Sequence, residues 1–444
     1  MKRRTVIGIP AGLAAAHIVG GCAEEQTETT GTETSGSAVN TFLADNTFEE
    51  LRARYHADLY DDFLPFMDRF VIDHEYGGFM CNADRDGTRI TSDKNTTNDG
   101  RGIWVYSFLY NKLTQDQRYL ETAKKTADFV LKIRPPGDEY WLTPYTREGT
   151  PLKGKGGLYD GLFIANGLQE LSKAPGCEMY HDPAREIFLG CMRRYDNPAY
   201  DYLVTYLRAD PPPIRGPRVL GHWMVILRCA TQMLEFDSDP EIEAIAGRSV
   251  DAIMRHHHNP AYNLMNEVIN HDLSRTDDDY AQFSYTGHAI ETLWMVLYEA
   301  MRLGDRRLFE EAADKFKFHV EVAWDDVYSG AFRSLDHVDN NVWKVDKALW
   351  LQEEILIGTL CMIEHTGDEW AKTWFVKVFD YVQDRFPLRQ YGFPLWILYA
   401  DRKVTFKRHY TRIGNFHHPR HLMLNLLSLD RMIERGGKVS GLFV

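Results

Sequence analysis

The stretch Gly287-His288-Ala289-Ile290-Glu291-Thr292-Leu293-Trp294-Met295-Val296-Leu297 opens on a glycine and a histidine and then runs almost wholly apolar. A helix that is apolar on nearly every face has to be surrounded by protein. The same design recurs at Gly100-Arg101-Gly102-Ile103-Trp104-Val105-Tyr106-Ser107-Phe108-Leu109 and at Gly221-His222-Trp223-Met224-Val225-Ile226-Leu227. Between such segments lie amphipathic ones, such as 117–133, that can face solvent along one side. Helical periodicity predicts twelve helices. They span 47–72, 100–114, 116–133, 156–173, 183–194, 217–235, 239–257, 286–303, 306–324, 345–365, 367–385 and 417–435. Every second one is of the buried kind, so the order reads outer, inner, outer, inner. The inner starts at Arg101, Asp160, His222, His288, Trp350 and His417 recur at intervals of 59 to 67 residues, the period of one repeated helix pair. Six pairs close into an all-α (α/α)6 barrel, a six-hairpin toroid over 47–444. The turn-rich stretches 140–155 and 262–274 read as short β-hairpins between helices.

If all six inner helices run the same way, their first turns meet at one end of the barrel. Free N–H groups and positive helix ends there favour negative charge, which suits an anionic transition state. His288 and Glu291 are three apart and share a face. His222, His417 and His418 occupy matching places in the repeat, and imidazole is the side chain whose ordinary pKa suits proton transfer near neutrality. Trp350 and Glu354 lie one turn apart, an aromatic platform beside a carboxylate that fits a sugar ring. Glu353 is expected on a partly solvated face, since glutamate is rarely buried. Arg101 is the natural electrophile for a developing oxyanion. The run His256-His257-His258 reads as the polar end of an outer helix rather than a metal site, because consecutive helical residues do not share a face. No glycine-rich phosphate loop of the usual spacing occurs.

Of the 444 residues, 44% are hydrophobic, 13% aromatic and 26% charged, the composition of a folded soluble protein. A formal net charge of −13 argues against a nucleic-acid partner, whose binding rests on clustered Lys and Arg. The chain begins with Lys2, Arg3 and Arg4, continues through a short apolar and small-residue run, and reaches Val19-Gly20-Gly21-Cys22. That sequence resembles a bacterial lipoprotein cleavage box, with a weaker likeness to a twin-arginine signal. The expectation is an export signal over 1–22, lipidation at Cys22 and a periplasmic or cell-envelope lipoprotein, with no other membrane contact. Residues 23–46, rich in Glu, Thr, Ser and Gly, read as a polar tether. Cys81, Cys177, Cys191, Cys229 and Cys361 show no C-x-x-C pair and read as buried thiols, not a disulfide framework or a zinc site.

Gly100-Arg101-Gly102-Ile103-Trp104, Gly287-His288-Ala289-Ile290-Glu291 and Phe416-His417-His418-Pro419-Arg420 are similar to the G-R-x-x-W, G-H-x-I-E and F-H-x-P-R motifs of the N-acylglucosamine 2-epimerase family. That family includes cellobiose and mannobiose 2-epimerases and aldose–ketose isomerases, and the resemblance spans about 47–437. It implies a sugar 2-epimerase or aldose–ketose isomerase acting through an enediolate on a mono- or oligosaccharide, with no cofactor and no metal. His288 and His417 would serve as general base and acid, His222 would assist ring opening and hold the sugar, Arg101 would steady the enediolate, and Glu291 would orient its neighbouring imidazole. Glu267, Trp350 and Glu354, with Trp104, Asp160 and His418, would shape the sugar pocket. Two departures bear on the substrate. Thr97-Asn98-Asp99 stands where the family has a Trp and a Gln, and Leu349-Trp350 where it has a Trp doublet. Two other functions use the same barrel. One is a glycoside hydrolase or unsaturated-glycan hydrolase drawing two carboxylates from Asp160, Glu291 and Glu354; the other is a catalytically inactive sugar-binding lipoprotein.

Overall fold

Two kinds of helix alternate along the chain. α1 (Phe48–Ala57) continues through a π-helical turn at Asp58–Phe63 into α2 (Leu64–Phe70). Then follow α3 (Thr96–Leu109), α4 (Gln117–Lys132), α5 (Leu158–Ser172), α6 (His181–Asp196), α7 (Leu220–Leu234) and α8 (Pro240–Asp251). The last five are α9 (Thr286–Leu303), α10 (Arg306–Ala323), α11 (Leu349–Thr366), α12 (Glu369–Arg385) and α13 (His417–Glu434). The computed structural model describes residues 42–204, 213–392, 394–395, 397–400, 402–403 and 413–443. The export signal with Cys22, and 23–41 of the expected tether, lie outside the described residues. Residues 42–46, read above as the end of that tether, contribute to a small antiparallel pair, Phe42–Leu43 with Asn46–Thr47, and Leu43 and Ala44 are buried.

α3, α5, α7, α9, α11 and α13 form the inner ring. Each packs on the next and α13 packs back on α3, closing the (α/α)6 barrel. α4, α6, α8, α10 and α12 each lie outside the inner helix that precedes them, and α1 lies outside α13. Burial follows this placement. In α5 every residue but Tyr159 is buried, and so is all of α11 from Leu349 to Glu364. α4 buries only one stripe, from Leu120 to Val130. Each large aliphatic side chain so removed from water contributes roughly 1.5–3 kcal/mol, which is why the all-apolar segments occupy the ring and the amphipathic ones its outside. The five cysteines beyond Cys22 are all buried. Among the described residues no helix is long and apolar enough to cross a membrane.

Helix starts differ between the two layers. α1, α4, α8, α10 and α12 are capped by the side chains of Thr47, Asp116, Asp239, Asp305 and Asp368. α7, α9, α11 and α13 have no side-chain cap. In α7 and α9 backbone carbonyls take part of that role, Glu267 O accepting the Leu220 N–H at 2.8 Å and Arg333 O the Gly287 N–H at 3.1 Å.

Several boundaries depart from the periodicity. α3 begins at Thr96 rather than Gly100, because Asn95 Oδ1 accepts the Asn98 N–H at 3.0 Å. α11 starts only at Leu349, since Asp346–Ala348 is a strand paired with Ile397–Tyr399. The stretch 262–274 does not close on itself. Leu264–Met265 pairs with His258–Asn259, and Val268–Ile269 with Arg218–Val219 just ahead of α7. His257 is buried and donates from Nδ1 to Asn266 O at 2.7 Å, so it ties this excursion down instead of serving the end of an outer helix.

His319 of α10 performs a similar task. Its Nδ1–H donates to Lys315 O at 2.7 Å and its Nε2 accepts the Met265 N–H at 2.9 Å, an arrangement open only to the neutral ring. Burial lowers its pKa to about 4. The stabilisation from this neutral burial is complete above the ordinary histidine pKa of 6.5 and is lost as pH falls toward 4, by ~3 kcal/mol. His319→Gln, which keeps an acceptor for the Met265 N–H, should therefore lose markedly less stability than the wild type between pH 7 and pH 4 in denaturant titrations.

Candidate active site

The first turns of the inner helices surround a cavity of about 510 Å³, lined by Arg101, Tyr159, Tyr202, His288, Glu291, Trp350 and His417 among others. Its size is that of a small-molecule site. His288 and His417 enter from helices two apart in the ring, with the Trp350 indole between them. The ring centroids lie 6.2 Å from His288 to Trp350 and 5.2 Å from Trp350 to His417. Arg101 stacks on Phe163 at 4.1 Å and on Phe416 at 5.1 Å, which holds its guanidinium at the cavity wall.

Behind each imidazole stands a buried carboxylate. His288 Nδ1 is 2.8 Å from Glu267 Oε1, and Glu267 is fully buried. Glu267 stands there because the Val268–Ile269 strand pairs with Arg218–Val219 and Leu220 N donates to Glu267 O at 2.8 Å. On the other side His417 Nδ1 is 2.8 Å from Glu354 Oε1, while Glu354 Oε2 accepts from Trp294 Nε1 at 2.6 Å. Arg420 Nη2 donates to Glu354 Oε1 at 2.5 Å and to Glu291 Oε1 at 2.6 Å. These contacts assign the Nδ1–H tautomer to both rings. Burial, assisted by the nearby guanidinium charges of Arg420 and Arg101, holds the His417 pKa well below the usual histidine range.

The glycines before His222 and His288 are required by neighbours. A Cβ on Gly221 would fall 2.2 Å from the Tyr159 hydroxyl oxygen and 2.8 Å from the His288 ring. One on Gly287 would fall 2.6 Å from the Trp350 indole. Each glycine thus makes room for a side chain of another helix.

Eight expected placements are corrected by this geometry. His222 is not at the cavity wall. It lies behind Tyr159 and Tyr202, with ring centroids 4.6 and 4.5 Å away, and both its nitrogens are buried without a hydrogen-bond partner among the described residues. Burial, with minor help from His288 and Arg218, lowers its pKa to about 3. Asp160 is turned from the cavity and caps helix starts, accepting from Thr96 and Thr97 hydroxyls at 2.6 and 2.7 Å and from Gly157 N at 2.7 Å. Trp104 is core, donating to Gln232 Oε1 at 3.2 Å and stacked on Phe108. Glu267 and Glu354 stand behind the histidines instead of lining the sugar pocket. Glu291 lines the cavity but pairs with Arg420, not with His288. His418 points to the outside of the ring and pairs with Glu353, which is 1% exposed and so contradicts the expected solvated face. Arg101, His288, Trp350 and His417 are brought together as expected.

Four residues of the site were not singled out from the sequence. Tyr159 lines the cavity, its buried hydroxyl without a hydrogen-bond partner among the described residues, one helical step from Asp160. Arg333 and Asp346 form an ion pair in the wall. Arg420 was visible in the Phe416–Arg420 motif, but its partners lie 66 and 129 residues away.

Two imidazoles, each backed by a buried carboxylate, thus face one cavity with a guanidinium beside them. The description of the N-acylglucosamine 2-epimerase (GlcNAc 2-epimerase) family matches residues 77–419, and the chain belongs to that family of carbohydrate epimerases and isomerases. It is 27% identical over 402 residues to the N-acylglucosamine 2-epimerase of Bos taurus, covering 84% of this chain and 91% of the relative. It is 23% identical over 390 residues to the cellobiose 2-epimerase of Bacteroides fragilis, covering 80% and 93%. A crystal structure of D-mannose isomerase shares the fold with a TM-score of 0.69 at 16% identity, covering 86% of this chain and 97% of that one.

Gly221→Ala places a methyl group against Tyr159 and His288, and displacements of this order at a reacting group cost roughly 10²-fold. The variant should stay folded by circular dichroism while its turnover of an accepted aldose falls to that extent.

Proposed function

We propose that the protein is a cofactor-independent sugar 2-epimerase or aldose–ketose isomerase. The observation that carries this reading is the pair His288 and His417, each with Nδ1 committed to a buried carboxylate and both at one cavity. With Nδ1 so engaged, Nε2 is the atom assigned to proton transfer. Once the hemiacetal opens, the aldehyde acidifies its α-proton, and a close base removes it if the resulting oxyanion is stabilised. In the reverse of the order that the resemblance implies, His417, held neutral by burial, takes the C2 proton; the electron pair moves onto the carbonyl oxygen, which the Arg101 guanidinium stabilises as an enediolate. His288 takes a proton from water at Nε2 and delivers it from the other side, and His417 afterwards releases its own to water. Delivery to C2 inverts that centre, and delivery to C1 gives the ketose. Trp350, between the two imidazoles, supplies the apolar surface for the sugar ring. His222, one layer back, supports this geometry through the Tyr159 and Tyr202 rings.

A hydrolase would need two carboxylates at the scissile bond. Glu291 and Glu354 are both committed to Arg420, and Asp160 to helix starts, which favours the imidazole chemistry. The relatives act on sugars from N-acylglucosamine to cellobiose and D-mannose by name, so the substrate belongs among aldoses of one or two rings. The basic and apolar start that ends at Cys22 supports an exported, envelope-tethered enzyme.

Proton NMR of a panel of aldoses and disaccharides in D2O tests the reading. The wild type should exchange the C2 proton of at least one, and His288→Ala and His417→Ala should each slow that exchange by about 10²–10⁴-fold. Undiminished exchange in both variants would refute it.

A further inference from the structure

Glu353 and His418 are the chain neighbours of Glu354 and His417, and a helical step of roughly 100° turns them from the lumen toward α1. His421 lies one turn beyond His418, so the two imidazoles share a face. His418 Nδ1 is 2.5 Å from Glu353 Oε1. His421 Nδ1 is 3.6 Å from the same oxygen, too long for a hydrogen bond, and it is buried without a hydrogen-bond partner among the described residues, in a residue only 4% exposed. The three donor atoms all lie within 4.8 Å of one another.

We propose that Glu353, His418 and His421 bind one divalent transition-metal ion, zinc by preference, that pins α13 to α11 behind His417. Two imidazoles and a carboxylate are the donor set such ions take. Around a tetrahedral ion with arms of about 2.0 Å, adjacent donors stand about 3.3 Å apart. The 2.5 and 3.6 Å separations bracket that value. An orienting partner is in place: His421 Nε2 is 3.0 Å from the Tyr55 hydroxyl, which accepts from Asn425 Nδ2 at 3.1 Å. A way in exists too, since a cavity lined by Asp58, Asp62 and His418 reaches the cluster, with two carboxylates to attract a cation. The lumenal cluster of Glu291, Glu354 and His417 has the same make-up, but there the Arg420 guanidinium lies among the donors and takes the cation's place. At the outer cluster the ion replaces the proton between His418 and Glu353, which leaves to solvent. The ion does not touch substrate; it holds the first turn of α13, and with it His417.

Calorimetric titration of the untagged, metal-free full chain with zinc chloride tests the site. One ion per chain is expected, with a raised thermal midpoint. Tyr55→Phe, which keeps the packing, should weaken binding roughly tenfold, and His421→Leu should abolish it. X-ray absorption of the wild-type zinc complex should show two imidazoles with oxygen and no sulfur, a readout independent of how the variants fold. No binding by the folded wild type, equal binding in both variants, or sulfur among the neighbours would overturn the assignment.

Discussion

All six inner helices have to run in one direction, because each is joined to its outer partner as an antiparallel hairpin and the hairpins repeat around the ring. That constraint brings six first turns to one mouth, and the site depends on it. Of the outer helices, α1, α4, α8, α10 and α12 begin on a side-chain cap, four of them an aspartate, whereas α6 and the inner α7, α9, α11 and α13 begin without one. Omitting the cap weakens the isolated helix, yet the positive ends of several inner helices face the same small volume. A developing negative charge there meets groups already in position.

Behind the mouth lies a layer of buried charge. Glu267 and Glu354 fix the tautomers of His288 and His417, and Arg420 holds Glu354 and Glu291. Taking these groups out of water costs more than their mutual attraction readily returns, so their worth is in fixing orientation rather than in stability. α11 carries two adjacent glutamates that serve opposite sides of the same helix pair: Glu354 steadies His417 from the lumen and Glu353 pairs with His418 outside. The motif glycines belong to the same scheme, since Gly221 and Gly287 yield space to His288 and Trp350 of the next helix.

Local pattern was enough for the architecture and for part of the site. The alternation of all-apolar and amphipathic segments, with its period, specifies six helix pairs because hydrophobic periodicity records which faces meet water. It also places Arg101, His288, Trp350 and His417 in the first two turns of the inner helices, where the ring has to bring them together. What lay outside the reach of pattern was direction within a turn and pairing between distant segments. His222 and Asp160 occupy the right turns but face away from the cavity. His418 and Glu353 differ from His417 and Glu354 by one residue and point to the other side of the ring. Glu267 reaches His288 through a strand pairing with Arg218–Val219 that no local signal encodes, and Arg420 meets Glu291 only because α13 and α9 both pack on α11. A helical repeat tells which turn a residue occupies; the side it faces, and the carboxylate behind it, follow from how the ring closes.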